Sequence, residues 1–364
     1  MMDLRATLGK ALEKYWPTLY SLALIIYLSR RQRVIPPVLP QNISSVWIET
    51  TNACNLNCLT CQTKLSKRPI GYMELGLFEK IIKQCKDIGV KNVALHTVGE
   101  PFMHKELGEH LRIAHENKVG VSLSTNGQIL TPELIESLIK YPPRQIRYSV
   151  DGATRLTYEK IRRGGSFERL IDNMETLHDA VSHNGVKLPM KVGAIILEDN
   201  IPELLLFFNR FGKYIHSIAD IAFKMPNNLS ADETKEYFGD FGTTIMHRVP
   251  CDLLWSSFSV LYDGRVSACC RDYNGELIVG NIGEQSLAEI WKGAKYNQLR
   301  EKHLSGDASD VPLCHNCYSS ASVAEAQKIN ISLHLIHRLN PDILKRIFSR
   351  ILLPSPMRKI ISEA

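Results

Sequence analysis

The sequence predicts an α/β chain built on a parallel sheet with helical crossovers, followed by a smaller cysteine-bearing unit. Three observations carry this. Six β-rich runs alternate with helical runs from residue 45 onward; the alternation stops near residue 225; and the nine cysteines fall mostly into two groups, one on each side of that break. Strands alternating with helices of 10–18 residues imply parallel pairing through helical connections. A partial barrel and an open doubly wound sheet both fit that alternation.

Each element has its own signal. SVWIET (45–50), VALHTV (93–98), VGVSLST (119–125), IRYSV (146–150), MKVGAIIL (190–197) and SIADIAFK (217–224) read as strands, rich in β-branched residues. Between them, 73–89, 105–117, 131–140, 166–183 and 202–212 carry the helical period of apolar residues. Thr131 stands as N-cap with Pro132 in the first turn, and Ser166 opens the next helix. Residues 225–250 are polar and turn-rich. Beyond them 257–270 reads as a hairpin with a type I′ turn at Asp263-Gly264, and 286–304 reads as helix. The expected organisation is an amino-terminal segment 1–44, a core 45–225, a linker and cysteine unit 226–325, and a tail 326–364.

Composition bounds the function. The 364 residues are 44% hydrophobic and 23% charged, as in a globular chain with a real core. A net charge of +6 is too mild to argue for nucleic acid, and no nucleic-acid-binding signature is present. An odd number of cysteines in tight groups argues for metal in a reducing, cytoplasmic compartment rather than a disulfide framework. No cleavable signal peptide is expected, because the first fourteen residues are polar. Residues 15–29 are apolar and end on Arg30, Arg31 and Arg33; at fifteen residues they are short for a bilayer span, which takes about 20. Residues 341–353 form a basic amphipathic helix in a tail with seven Lys or Arg against two Asp or Glu. Such ends read either as helices packed on the chain's own core or as peripheral membrane contacts on the cytoplasmic face.

The chemistry concentrates at Cys54, Cys58 and Cys61, a C-x3-C-x2-C loop directly after the first strand. The carboxyl ends of barrel strands are where such folds place their chemistry. The spacing does not suit a zinc knuckle, which takes paired C-x2-C units or Cys/His mixtures. Three thiolates suit three irons of a cubane and leave the fourth iron open to a substrate.

The run CNLNCLTC (54–61) resembles the signature loop of the radical S-adenosylmethionine (SAM) superfamily. That resemblance implies a partial (β/α)6 TIM-like barrel with a small carboxyl-terminal iron–sulfur domain. It implies a [4Fe–4S] cluster on the three cysteines, SAM as cosubstrate, and reductive cleavage of SAM to a 5′-deoxyadenosyl radical that takes a hydrogen from the substrate. Val98-Gly99-Glu100-Pro101 is similar to the family's Gly-Gly-Glu motif, with Val98 in place of its first glycine, and so implies that Gly99 and Glu100 bind the SAM amino group. Ser124, Asn126, Ser149 and Asp151, at the ends of the third and fourth strands, are placed to meet the ribose or the methionine carboxylate, and Arg162 to pair with that carboxylate. Thr60 stands where the family usually has an aromatic against adenine.

The second group is Cys251, Cys269, Cys270, Cys314 and Cys317. Cys251, Gly264-x4-Cys269 and Cys314-x2-Cys317 resemble the SPASM or twitch auxiliary-cluster domain, and GNIGEQSLAEIW (280–291) resembles its connecting segment. The resemblance implies one auxiliary [4Fe–4S] cluster on Cys251, Cys269, Cys314 and Cys317, with Cys270 turned away; four cysteines would equally suit a structural zinc. Cys85, alone in an amphipathic helix, is expected in the core. The implied activity is oxidative modification of a peptide or of a sugar or cyclitol, with an electron donor such as flavodoxin or ferredoxin; a lipid-linked substrate is expected where the two ends hold the chain at a membrane. The non-enzymatic alternative is an inert iron–sulfur or zinc scaffold, which would have no need of Glu100 beside the three cysteines.

Overall fold

The computed structural model describes residues 43–61, 63–195, 197, 199–215, 220–224, 250–306, 308, 310–311 and 313–314. The apolar segment 15–29, the tail helix 341–353 and Cys317 lie outside the described residues, as does most of the expected boundary at 225–250.

Six parallel strands run β1 (Ser45–Ile48), β2 (Asn92–Ala94), β3 (Gly120–Thr125), β4 (Gln145–Ser149), β5 (Met190–Ile195) and β6 (Ile221–Lys224), paired side by side in chain order. Helices α1 (Leu75–Asp87), α2 (Leu107–Glu116), α3 (Pro132–Lys140), α4 (Arg155–Ile161), α5 (Phe167–His183) and α6 (Leu204–Phe211) fill the connections. Strictly sequential parallel order is that of a partial TIM barrel, not of a doubly wound sheet, whose order reverses at a switch point. Six expected strands are present. β2 is shorter than expected: the chain leaves the ladder after Leu95 because Gly99, at φ +80°, turns it toward the loop after β1, where the Glu100 N–H donates to Ala53 O at 2.7 Å.

Local signals account for the helix ends. Thr131 Oγ1 accepts from Leu134 N, and Ser166 Oγ from Arg169 N, as N-caps do. α1 buries Phe78, Ile81, Ile82 and Cys85, one stripe at helical spacing, which puts Cys85 in the core. The outer face of the sheet carries Val46, Ile48, Val93, Leu123, Ile146, Tyr148 and Val192 into the same core. Burial of each such side chain contributes about 1.5–3 kcal/mol.

The inner face is different. Trp47, Ser122, Ser124, Arg147 and Ser149 alternate with those apolar residues and are only half-buried. A closed barrel fills this space with Val, Ile and Leu; here it is polar.

The carboxyl-terminal hairpin continues the same sheet. β7 (Ser257–Val260) pairs parallel with β1 on its other edge, and β8 (Arg265–Ser267) and β9 (Ile278–Asn281) follow antiparallel. The turn is not type I′, which needs positive φ at both central residues. Only Gly264 is left-handed (φ +85°), and Gly264 N donates to Leu261 O across a four-residue loop. The helix expected over 286–304 is two, α7 (Leu287–Lys292) and α8 (Ala294–Leu304), broken by the extended backbone of Gly293.

Candidate active site

The loops after β1, β2, β3 and β4 meet at the carboxyl ends of the strands and enclose one cavity. Cys54, Cys58 and Cys61 line it with Gly99, Glu100, Ser124, Asn126, Ser149 and Arg162. Thr60 lines it as well.

Each cysteine sulfur has a donor aimed at it. Asn126 Nδ2 lies 3.9 Å from Cys54 Sγ, Arg162 Nη1 lies 3.6 Å from Cys58 Sγ, and Thr63 N lies 3.4 Å from Cys61 Sγ. The loop is pinned by backbone bonds to the end of α4, Asn57 N to Arg163 O and Leu59 N to Ile161 O. Burial pushes the Cys54 thiol up to about 12 and raises Cys58, with Arg162 opposing the latter. A ligated thiolate requires a cationic centre to reverse that burial effect, and the donors on sulfur assist.

Glu100 is buried (2% exposed) and organises the loops. Its Oε1 accepts from Phe102 N and Thr125 Oγ1, and its Oε2 from Asn126 N at 2.6 Å. Burial, only partly offset by those bonds, pushes its carboxyl up to about 7. Gly99 fits where no side chain would: an added Cβ would lie 2.3 Å from Thr51 O.

Two expected SAM contacts take other places. Asp151 is 1% exposed and absent from the cavity wall; its Oδ1 accepts from Ile195 N at 2.6 Å, and its Oδ2 pairs with Arg162 Nε at 2.7 Å. The reason is its left-handed backbone (φ +63°) after β4, which turns the carboxylate back toward β5. Asn126 lines the wall, but its amide is used: Nδ2 donates to Asn55 Oδ1 at 2.8 Å and Oδ1 accepts from Gln128 N. Arg162 is held between Asp151 and Cys58 and faces the cavity.

The cavity also contains residues that motif spacing did not single out: His96, Thr97 and Ile195, and, from the far end of the chain, Cys270 and Arg271. Cys269 does not line it. The two adjacent cysteines diverge from a loop after β8 rather than across a strand. Asp272 shapes this loop, accepting from Ser267 Oγ, Gly275 N, Glu276 N and Leu277 N. Cys251 and Cys314 pack half-buried against the core. Besides burial, Cys251 and Cys269 both raise the Tyr296 phenol, so both lie near it. Among the described residues no three His, Cys, Asp or Glu side chains gather around a single ion-sized point. Cysteines on a cubane take different irons, so the donor set does not require one.

Comparison with known proteins decides the family. The family model of the Radical SAM superfamily matches residues 48–206, and that of SPASM, an iron–sulfur cluster-binding domain, matches 251–318. The mycofactocin maturase MftC of Mycobacterium tuberculosis is 31% identical over 312 residues, covering 76% of this chain and 78% of its own. The chain belongs to the radical SAM superfamily. This radical SAM protein is also 23% identical to the S-adenosyl-L-methionine-dependent 2-deoxy-scyllo-inosamine dehydrogenase of Niallia circulans, over 78% of this chain and 96% of that one. Among solved structures it shares its fold with Streptococcus suis SuiB bound to precursor peptide SuiA, at a TM-score of 0.56, 15% identity and coverage of 78% and 71%. Membership makes it an enzyme and brings a [4Fe–4S] cluster, SAM and, with SPASM, auxiliary iron–sulfur chemistry. The three-cysteine wall fits the first cluster by the chemistry of its donors. Among the described residues no helix is long and apolar enough to cross a membrane.

Proposed function

We propose that this radical SAM enzyme oxidises a small polar substrate at a carbon–hydrogen bond, with Cys54, Cys58 and Cys61 holding the SAM-cleaving cluster. Cys251, Cys269, Cys314 and Cys317 hold one auxiliary [4Fe–4S] cluster. One observation carries the oxidative reading: the loop bearing Cys269 turns Cys270 and Arg271 into the wall of the cavity that contains the first three cysteines. The chemistry these clusters supply when bound is one electron to the SAM sulfonium, leaving methionine and a 5′-deoxyadenosyl radical that takes a substrate hydrogen, and a sink for the electron the substrate then gives up. The substrate class follows the polar inner face and the Niallia circulans relative, a dehydrogenase named for 2-deoxy-scyllo-inosamine.

The protein's own part is to bind, orient and hold charge. A carboxylate offers about four acceptor sites; Glu100 uses three, so one on Oε2 is left for the SAM amino group, whose positive charge favours the ionised carboxylate. Arg162, its Nε held by Asp151, keeps donors for the methionine carboxylate. Ser124 and Ser149 offer hydroxyls to the ribose. Asn126 and Asp151 act through others, as positioning residues for Cys54 and Arg162.

The test is anaerobic reconstitution followed by 5′-deoxyadenosine production with dithionite. Cys58→Ala should abolish it while about half the iron, that of the auxiliary cluster, stays bound. Undiminished 5′-deoxyadenosine from this variant would sink the assignment, and zinc in place of the second portion of iron would return the site to a structural role.

A further inference from the structure

On the polar inner face of the barrel one charge has no partner among the described residues. Arg147 lies on β4 two residues before Ser149, on the same face, so it sits about 6.6 Å deeper along the strand than a residue of the cavity wall. Its register partners are Ser124, itself in that wall, and Lys191. Arg147 makes no side-chain hydrogen bond or ion pair with any described residue, and its Nε is sealed from solvent. Burial alone acts on it, holding its guanidinium below the usual arginine range.

The neighbouring charges do not compensate it. Lys191, directly opposite, is a like charge, and Asp220 at 3.7 Å from Lys191 Nζ is already engaged there. Burying a guanidinium Nε without an acceptor costs free energy, and Lys191 supplies none. On the same face Trp47 Nε1 and Ser259 Oγ, register partners across β1 and β7, are also buried without hydrogen-bond partners. Among the described residues, the inside of the barrel below the SAM cavity therefore has the makings of a polar ligand site with a positive charge, that of Arg147, left unpaired.

We propose that the substrate carries a carboxylate or phosphate group, and that Arg147 receives it inside the barrel, leaving the rest of the substrate directed up toward the SAM cavity. The inference rests on the oxidative radical SAM reading and names the substrate class for it. A guanidinium is suited to either group because its fork presents paired donors to two oxygens.

The experiment uses the reconstituted full-length protein with SAM bound, titrated with inorganic phosphate, with acetate, and with chloride at matched ionic strength, followed by thermal unfolding. Wild type should show a saturable rise in Tm with phosphate or acetate and none with chloride. Arg147→Met should weaken that response at least about ten-fold, the share of one charge-assisted hydrogen bond, and should by itself unfold at a higher temperature than wild type without anion. Arg147→Lys, which keeps the charge without the fork, should fall between. Arg155→Met, which removes an exposed charge on α4, should respond as wild type does. A stronger response to phosphate points to a phosphorylated substrate, and to acetate a carboxylic acid. The proposal is overturned if wild type gives no saturable anion effect, if Arg147→Met responds like wild type, or if Arg147→Met loses SAM itself. Production of 5′-deoxyadenosine by the same wild-type preparation checks the underlying reading separately: its absence would fail that reading while the anion titration still reports on Arg147.

Discussion

Arg68 grips Glu49 in a buried two-pronged ion pair, Nη1 to Oε1 at 2.8 Å and Nη2 to Oε2 at 2.6 Å. Glu49 follows β1 on the way to Cys54, while Arg68 Nε donates to Tyr273 O at 2.9 Å, in the loop that begins with Cys269. Tyr262 N donates to the same carboxylate, and Ser66 Oγ to the same carbonyl. One pair thus ties together the loops of both cysteine groups. Arg68→Met should destabilise the fold by about 3–5 kcal/mol, because it strands a buried carboxylate; Glu49→Gln combined with Arg68→Met should lose less. Urea unfolding of the three proteins checks this, and a loss under about 1 kcal/mol for the single variant would mean the pair contributes little.

Gly99 is the point where the loop after β2 passes against the backbone of the loop after β1. Gly99→Ala would force a side chain into a left-handed conformation and against Thr51 O. A stability loss of at least about 1–3 kcal/mol is expected, together with weaker SAM binding as Glu100 moves. Calorimetric titration with SAM and a melting curve measure both; an unshifted affinity would show that Glu100 does not depend on this contact.

Cys269 and Cys270 should separate cleanly. Cys269→Ala should lose about half of the iron, whereas Cys270→Ala and the core variant Cys85→Ala should keep it. Asp272→Ala, which leaves four donors without their acceptor, should resemble Cys269→Ala. Iron lost from the Cys270 variant in place of Cys269 would move the ligand assignment by one residue.

His110 should make the fold acid-sensitive. Its ring is fully buried against Phe78 and His104, neither ring nitrogen has a hydrogen-bond partner, and burial lowers it from 6.5 to about 3. Below pH 6.5 the unfolded chain takes a proton that the folded one refuses. Stability is therefore complete above about 6.5 and falls toward 3, by at most about 1.4 kcal/mol per pH unit. His110→Phe should flatten this slope and leave stability at pH 8 nearly unchanged, since no hydrogen bond is lost. Denaturation midpoints between pH 5 and 8 test it; an equal slope in both proteins would place the sensitivity elsewhere.

By itself the sequence determined the repeating strand and helix pattern and the three-cysteine loop with its glutamate. Strand and helix periods are local, and C-x3-C-x2-C is a contiguous ligand set, so both are written along the chain. Ser124 and Ser149 were legible because they lie at strand ends, and Arg162, which closes the helix after β4, because its guanidinium suits a carboxylate. What only the tertiary structure decided depends on contacts between distant residues. Pairing of β7 with β1 brings Cys270 and Arg271 into the cavity of Cys54, more than 200 positions away. The left-handed backbone of Asp151 makes this residue, expected at SAM, the counter-ion of Arg162. Arg147 reads in sequence as one more polar residue on a strand. Only the register sets it beside Lys191 with no acid paired to it among the described residues, because electrostatic compensation is fixed by distance in space and not by order along the chain.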